Sequence, residues 1–377
     1  MSVQLSVKGW CPGAFKPMMS GDGLIVRVRP FHARLDRGQV LGLCDLAQTY
    51  GNGFLDLTNR ANLQIRGVSE QGFEPLLAAL NDLDLLDATP EIEARRNILV
   101  SPFWDAGDDT HDIVTHLLEA LPSLPDLPAK FGFAIDTGPA PLLQNASADI
   151  RVERSAEGFI VRADGSPLGQ PVPRSAVIAT ILELAAWFTA ERRPDERRMR
   201  TLLARTSLPQ GWDTAAPLAA GPLPVPGPHA AGLILGAAFG QLDAGALARA
   251  METSGARALR VTPWRLFVLE GSSALTGADF VSTPDDPLLH ADACPGAPFC
   301  ESASVETRGL AQALAQGMSG TLHVSGCAKG CARSQPADVT LVGKAGRFDL
   351  VRQGCAWDAP EKSGLVPNDL LAEVKSH

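Results

Sequence analysis

Two short segments hold most of the chemistry that this chain can offer. "ACPGAPFC" (293–300) places Cys294 and Cys300 either side of five residues, and "SGCAKGCARS" (325–334) places Cys327 and Cys331 either side of three. Four thiolates are the usual ligand set of a [4Fe–4S] cluster. Gly326 and Gly330 suit a backbone that turns its N–H groups toward sulfur through left-handed conformations. Lys329 and Arg333 supply charge that should lower the thiol pKa values, and Pro295 and Pro298 stiffen the first loop. Zinc takes the same ligand type but usually at shorter C-x2–4-C spacing. Two disulfides would need an oxidising compartment, and Cys327 with Cys331 could be two buried thiols on a helix face. On spacing alone these readings stay open.

The rest of the composition narrows the setting. Seven cysteines in 377 residues are few and odd in number, which argues against a disulfide framework. A net charge of −9 excludes a general nucleic-acid binder, which needs a basic face. The start "MSVQLSVKGWCPG" has no apolar export segment, and no apolar run reaches the ~20 residues of a membrane span. A cytoplasmic protein with no nucleic-acid or membrane partner is expected. No G-x-G-x-x-G follows a strand, so electrons for any redox chemistry would come from a partner.

The elements that must carry these loops repeat. "GLIVRVRP", "RGQVLGLCDLAQTYG" and "GFLDLTNRANLQIRGV" read as strand, helix and hairpin over 23–68. "GLILGAAFGQLDAGALARAMETSGARALRVTPWRLFVLEG" (232–271) follows the same plan. "LD" recurs at 35–36 and 242–243, and Thr58 and Thr262 each stand nine residues before a closing glycine, Gly67 and Gly271. The expected class is α+β, with duplicated ferredoxin-like halves. The boundaries read as a first half at 1–75, an α/β domain at 76–206 and a Pro-rich linker at 207–229. A second half at 230–278 and a cysteine-bearing α/β domain at 279–377 complete the chain.

With these motifs in place, the chain resembles the sirohaem-dependent nitrite and sulfite reductase family. The resemblance rests on the cysteine spacing, "LVGKAGRFDL", "LTNRANLQIRG" (57–67), "RRNILV" (95–100) and "LPAKFGF" (127–133). It implies a cluster held by Cys294, Cys300, Cys327 and Cys331. It also implies an anion and tetrapyrrole pocket lined by Arg60, Arg96 and Lys130, with Lys329 beside the macrocycle carboxylates. One departure stands out: the reductases usually carry a second basic residue where this chain has Gly132. The N-terminal "GWCPGAFKPMMSGDGLIVRVRP" resembles instead the precorrin-3B synthases, the aerobic cobalamin-pathway branch of the same superfamily. That resemblance implies a cluster plus a mononuclear non-haem iron, and precorrin-3A and O2 as substrates. An external electron donor, such as an NAD(P)H-dependent reductase, would supply electrons. It implies hydroxylation of precorrin-3A with closure of a ring A γ-lactone. The alternatives are a sirohaem nitrite or sulfite reductase, and a non-catalytic tetrapyrrole or electron carrier.

Other residues have plainer readings. Arg27, Arg29 and Arg66 alternate with apolar neighbours and would ordinarily form the wet face of a sheet, although a tetrapyrrole protein could turn them into a pocket. Arg95 reads as surface. Gly132 could let a large ligand approach a strand. The seven histidines, among them His111 and His116 in "DDTHDIVTH" and His290 and His323 near the cysteine loops, form no 2-His-1-carboxylate motif. Cys11, in a second "CPGA", has no assignable role.

Overall fold

The computed structural model describes residues 12–275, 277 and 279–375, so Cys11 lies outside the described residues. Chain order begins β1 (Met18–Ser20), β2 (Gly23–Val28), β3 (Arg34–Asp36), α1 (Arg37–Tyr50), β4 (Phe54–Leu57) and β5 (Leu63–Val68), then α2 (Glu70–Asp82) and α3 (Pro90–Arg95). The first α/β domain holds β6 (Ile98–Val100), α4 (Asp109–Ala120), β7 (Phe133–Asp136), β8 (Ile150–Ser155), β9 (Gly158–Ala163), β10 (Gln170–Val172), α5 (Val177–Glu191) and α6 (Met199–Leu203). The second repeat runs β11 (Gly227–His229), β12 (Gly232–Gly236), β13 (Gln241–Asp243), α7 (Ala244–Thr253), β14 (Ala258–Val261) and β15 (Leu266–Glu270). The last domain holds β16 (Ala291–Ala293), α8 (Arg308–Ala315), β17 (Leu322–Ser325), β18 (Ala337–Lys344), β19 (Arg347–Gly354), β20 (Lys362–Leu365) and α9 (Pro367–Lys375).

The repeated sequence features do the same physical work in both copies. Asp36 and Asp243, the ends of the two "LD" pairs, cap α1 and α7 by accepting from the Gln39 and Ala246 amides. The hairpin hydroxyls of Thr58 and Thr262 accept from Arg60 N and Trp264 N. Three residues after each threonine the backbone is left-handed, φ 52° at Ala61 and 59° at Arg265, and Gly67 and Gly271 close both hairpins at φ 74° and 80°.

The two halves are nevertheless not separate units at 1–75 and 230–278. The first sheet runs β1-β2-β5-β4-β13 and the second β11-β12-β15-β14-β3. Each half lends its short third strand to the other: Asp36 opposes Ala258, and Asp243 opposes Phe54. The exchange covers the open edges of β4 and β14, which would otherwise present unpaired N–H and C=O groups. α1 packs on α7 across the same junction. One continuous apolar core therefore spans both halves and the first α/β domain. The 207–229 linker is also fixed. Leu218 N donates to Arg154 O, Gly221 N donates to Pro141 O, and its end forms β11 of the second sheet.

The duplication extends to the α/β domains. Strand order is β10-β9-β8-β7-β6 in the first and β16-β17-β18-β19-β20 in the last. In each, the first three strands in sequence are parallel and the next two are antiparallel additions. The last domain packs α8 and α9 on its sheet around a core of its own.

Candidate functional site

Parallel β16 and β17 end side by side, at Ala293 and Ser325, and the two cysteine loops start there. Open parallel sheets bind ligands at this carboxyl end of their strands. The Gly326 N–H donates to Cys294 Sγ at 3.2 Å. Gly326 is not left-handed, as the sequence reading supposed. It is glycine because a Cβ would sit 2.6 Å from the Ala303 Cβ. Gly330 is left-handed, at φ 61°, beneath the Trp357 ring. Lys329 Nζ donates to Ser302 Oγ at 3.0 Å, tying the second loop to the segment just after the first. The Cys331 thiol is pushed up, chiefly by burial and then by Cys294, Cys327 and Cys300. Lys329 opposes this but is outweighed, so the expected fall in this thiol's pKa is reversed. Arg333 spends its charge on Asp292 and on the Gln335 and Pro336 carbonyls. Cys331 therefore lies within electrostatic reach of the other three thiols. Among the described residues no group of three or more His, Cys, Asp and Glu side chains is placed to hold a metal ion.

Beside these loops lies a cavity of about 890 Å³ that Cys294 and Cys331 help to line. Five arginines, Arg27, Arg66, Arg265, Arg308 and Arg333, share its wall. Two aspartates organise four of them. Asp56 lies 3.8 Å from Arg66 and 3.2 Å from Arg308, and Asp292 lies 3.1 Å from Arg265 and 2.9 Å from Arg333. Each triad ties the last domain to one of the ferredoxin-like halves. Arg66 is also paired with Asp22, and Arg27 grips Gln64 Oε1 through Nε and Nη2. Leu223, Phe239, Pro263 and Trp264 supply an apolar wall. The combination suits a large amphiphilic ligand with several carboxylates, which guanidinium groups grip bidentately.

A precorrin-3B synthase of Sinorhizobium sp. is 34% identical over 94% of this chain and 84% of its own length. The chain belongs to the precorrin-3B synthase family. Residues 16–83 match the nitrite/sulfite reductase ferredoxin-like half domain. A ferredoxin–nitrite reductase of Leptolyngbya laminosa is 24% identical over 90% of the chain and 80% of its own. The Mycobacterium tuberculosis NirA protein superposes at a TM-score of 0.62 and 19% identity, over 93% of this chain and 79% of that one, which places the fold in the same class.

Within this precorrin-3B synthase family member, the residues singled out from the sequence divide. Cys294 and Cys331 face the cavity, whereas Arg60, Arg96, Lys130 and Lys329 are not on its wall. Arg60 neighbours Asn59, which is, but its Nη2 donates to the Lys130 carbonyl at 3.0 Å. Arg96 lies elsewhere in this structure. Its guanidinium is buried against Asp87 at 2.7 and 2.9 Å, donates to Arg29 O and lies over Phe31. Arg29 is likewise buried, donating to the Glu93 carbonyl. Arg95 is half-buried at the surface and donates to the carbonyls of Leu121, Pro122 and Leu124. Gly132 does not make room for a ligand. Its Cβ would meet Asn97 O at 2.9 Å, and its N–H is held by Asp149. Arg265 and Arg308 escaped notice because an arginine in a hairpin turn or at a helix start looks like ordinary surface.

The other end of the duplicated core shows what the cysteine end has gained. A cavity of about 1070 Å³ lies against the first α/β domain and β12, but Ser101 and Thr137 stand at the strand ends there, with Asp105, Asp108 and Asp109. The charges are reversed as well. Where β5 carries Arg66 facing Asp56, β15 carries Glu270 facing Arg260. His111 of α4 stacks on His32 at 4.8 Å beside Trp104, and its Nδ1 lies 3.4 Å from Asp112 Oδ1.

His323, in the middle of β17, is fully buried with no partner on either ring nitrogen. Burial, aided by Arg333 and opposed by Asp292, pushes it down to about 4. The unfolded chain binds this proton near pH 6.5 and the folded chain does not, so stability falls as pH drops from about 6.5 toward 4, by up to ~3 kcal/mol. His32, also pushed down to about 4, adds in the same direction. The urea midpoint is expected to fall across this window, and His323→Leu should flatten part of the slope. An unchanged slope would show that His323 does not carry it.

Proposed function

We propose that this chain is a precorrin-3B synthase, an O2-dependent monooxygenase that hydroxylates precorrin-3A and closes the ring A γ-lactone. The observation that carries the reading is a shared wall: Cys294 and Cys331 line the same cavity as the five arginines. The four thiols fit a [4Fe–4S] cluster. Each thiolate of such a cluster binds its own iron, so the ligands must surround a volume rather than converge. Cys331 lies within electrostatic reach of the other three thiols, which supports that arrangement. The Gly326 amide aimed at Cys294 Sγ supports it too. When bound, the cluster would supply electrons one at a time.

The chain's own residues do the rest. The arginines neutralise and orient the carboxylates of precorrin-3A, and the Trp264 and Phe239 wall shields the macrocycle from water. Electrons come from an external donor protein. The described residues offer no ligand set for a mononuclear iron, so no step is assigned to one. One observation separates this reading from a sirohaem reductase: the Asn97 carbonyl fills the space that a second basic residue at 132 would need.

Anaerobically purified protein should show a brown cluster spectrum without Soret or α bands. It should transfer one labelled oxygen from 18O2 to precorrin-3A when given a reductant. A sirohaem spectrum would favour the reductase, and no turnover of precorrin-3A would leave only the carrier.

A further inference from the structure

The described residues expose five large apolar side chains, and these are not scattered. Leu223 and Val225 line the cavity at the acidic end. The other three stand at the cysteine loops. Phe299, 41% exposed, precedes Cys300 in the first loop. Trp357, 54% exposed, lies against Gly330 of the second loop, one residue before Cys331. Met19, 44% exposed, neighbours Ser20, whose hydroxyl donates to the Phe299 carbonyl. The Gly326 N–H on Cys294 and Lys329 on Ser302 join the two loops, so the three side chains rim one site. Cys331 is exposed and Cys300 and Cys327 are half-buried, so a group held among these thiols is close to the surface. Single exposed apolar side chains are ordinary, but three around one site mark a contact surface.

The charge around this rim has one sign left over. Lys329 is taken up by Ser302, Arg333 by Asp292, and Asp358 by the Cys355 amide. Glu301 and Glu306 are exposed and make no hydrogen bond or ion pair among the described residues. Glu301 directly follows Cys300, and the segment between them and Glu306 is held to the second loop by Ser304 N on the Gly326 carbonyl.

We propose that the outer face of the cysteine loops docks a one-electron carrier protein whose own contact face is basic. Phe299, Trp357 and Met19 form the apolar centre, and Glu301 and Glu306 steer the partner. Electron-transfer contacts are small and short-lived, which a few exposed side chains suit better than a broad apolar face. At each encounter the carrier is oxidised by one electron and the cluster is reduced by one. The proposal rests on the reading of the four thiols as cluster ligands.

The test uses the anaerobically prepared holoenzyme and two carriers of opposite charge: cytochrome c, which is basic, and flavodoxin, which is acidic. Binding is read by calorimetry with ferricytochrome c and the oxidised protein. Transfer is read by stopped-flow absorbance, as the reduced cluster loses one electron and one ferric haem becomes ferrous. The rate to cytochrome c should fall as salt is added, and the rate to flavodoxin should not. Glu301→Lys with Glu306→Lys should weaken cytochrome c binding and slow transfer to it by roughly tenfold at low salt. The same charge change at Glu157 and Asp195, exposed on the first α/β domain, should leave both near wild type. Trp357→Ser and Phe299→Ser should weaken binding and slow transfer several-fold, with cluster absorbance and reduction by dithionite unchanged. Should Phe299→Ser lose its cluster, Trp357→Ser and the charge variant decide. Wild-type binding and rates in these two would overturn the proposal. An equal loss in the Glu157 and Asp195 variant would also overturn it, since net charge rather than this face would then be the cause. Wild-type protein without iron and sulfide would fail the reading of the thiols, and this proposal with it, whereas a full cluster with unaffected variants overturns this proposal alone.

Discussion

Serine at Cys327 is expected to abolish the brown absorbance, reduce bound iron and acid-labile sulfide to background and take turnover of precorrin-3A with them. The alcohol keeps the size of the thiol but is not ionised at neutral pH, so one corner of the cage is lost. Cys44 and Cys355 provide the contrast. Both are buried free thiols outside the two loops, and burial holds Cys44 at about 12, where it is inert as a ligand. Cys355→Ser and Cys44→Ala should therefore keep a full complement of iron and sulfide, with only a modest loss of stability. Metal content also separates the cluster from zinc, which the spacing alone leaves open. Zinc without sulfide in the wild-type protein would replace the cluster with a structural site. A Cys327→Ser protein that retains full iron would remove this residue from the ligand set.

Much of the fold was legible because its signals are local. The caps at Asp36 and Asp243 and the left-handed turns after Thr58 and Thr262 depend on a few neighbouring residues, so a repeat of residues is a repeat of structure. The strand exchange had no such signal. β3 and β13 are each three residues long, and nothing in "RLD" or "QLD" says which sheet it joins. The cavity was hidden for a related reason. It is assembled from segments that begin near Arg27 and end near Gln335, and the side of the molecule that each arginine faces is a property of the assembly. The cysteine pairs stood out in the sequence because each spacing lies within one short segment. The arginines did not, because any exposed turn tolerates one. Family position pointed to Arg60, whose neighbour Asn59 lines the cavity, and to Arg96, which this structure holds against Asp87 away from it.

Arg96 is also where substitution should cost the fold most. The Arg96 and Asp87 side chains are 5% and 3% exposed and joined by two hydrogen bonds. Arg96→Ala leaves a buried carboxylate without its cation, and also strips a donor from Arg29 O and the cation from Phe31. Breaking a buried pair from one side typically costs about 3–5 kcal/mol, a large share of the ~5–15 kcal/mol that holds a domain together. The urea midpoint should fall accordingly, and Arg96→Lys should recover little, since an ammonium cannot make the paired contact. The double variant Arg96→Met with Asp87→Leu removes both charges and should restore most of the loss. It also separates a structural residue from a substrate-binding one. If Arg96 only holds the fold, the double variant keeps a wild-type KM for precorrin-3A while lacking the guanidinium altogether. A KM raised by tenfold or more in a protein of restored stability would return Arg96 to the tetrapyrrole pocket, in a conformation where it has left Asp87.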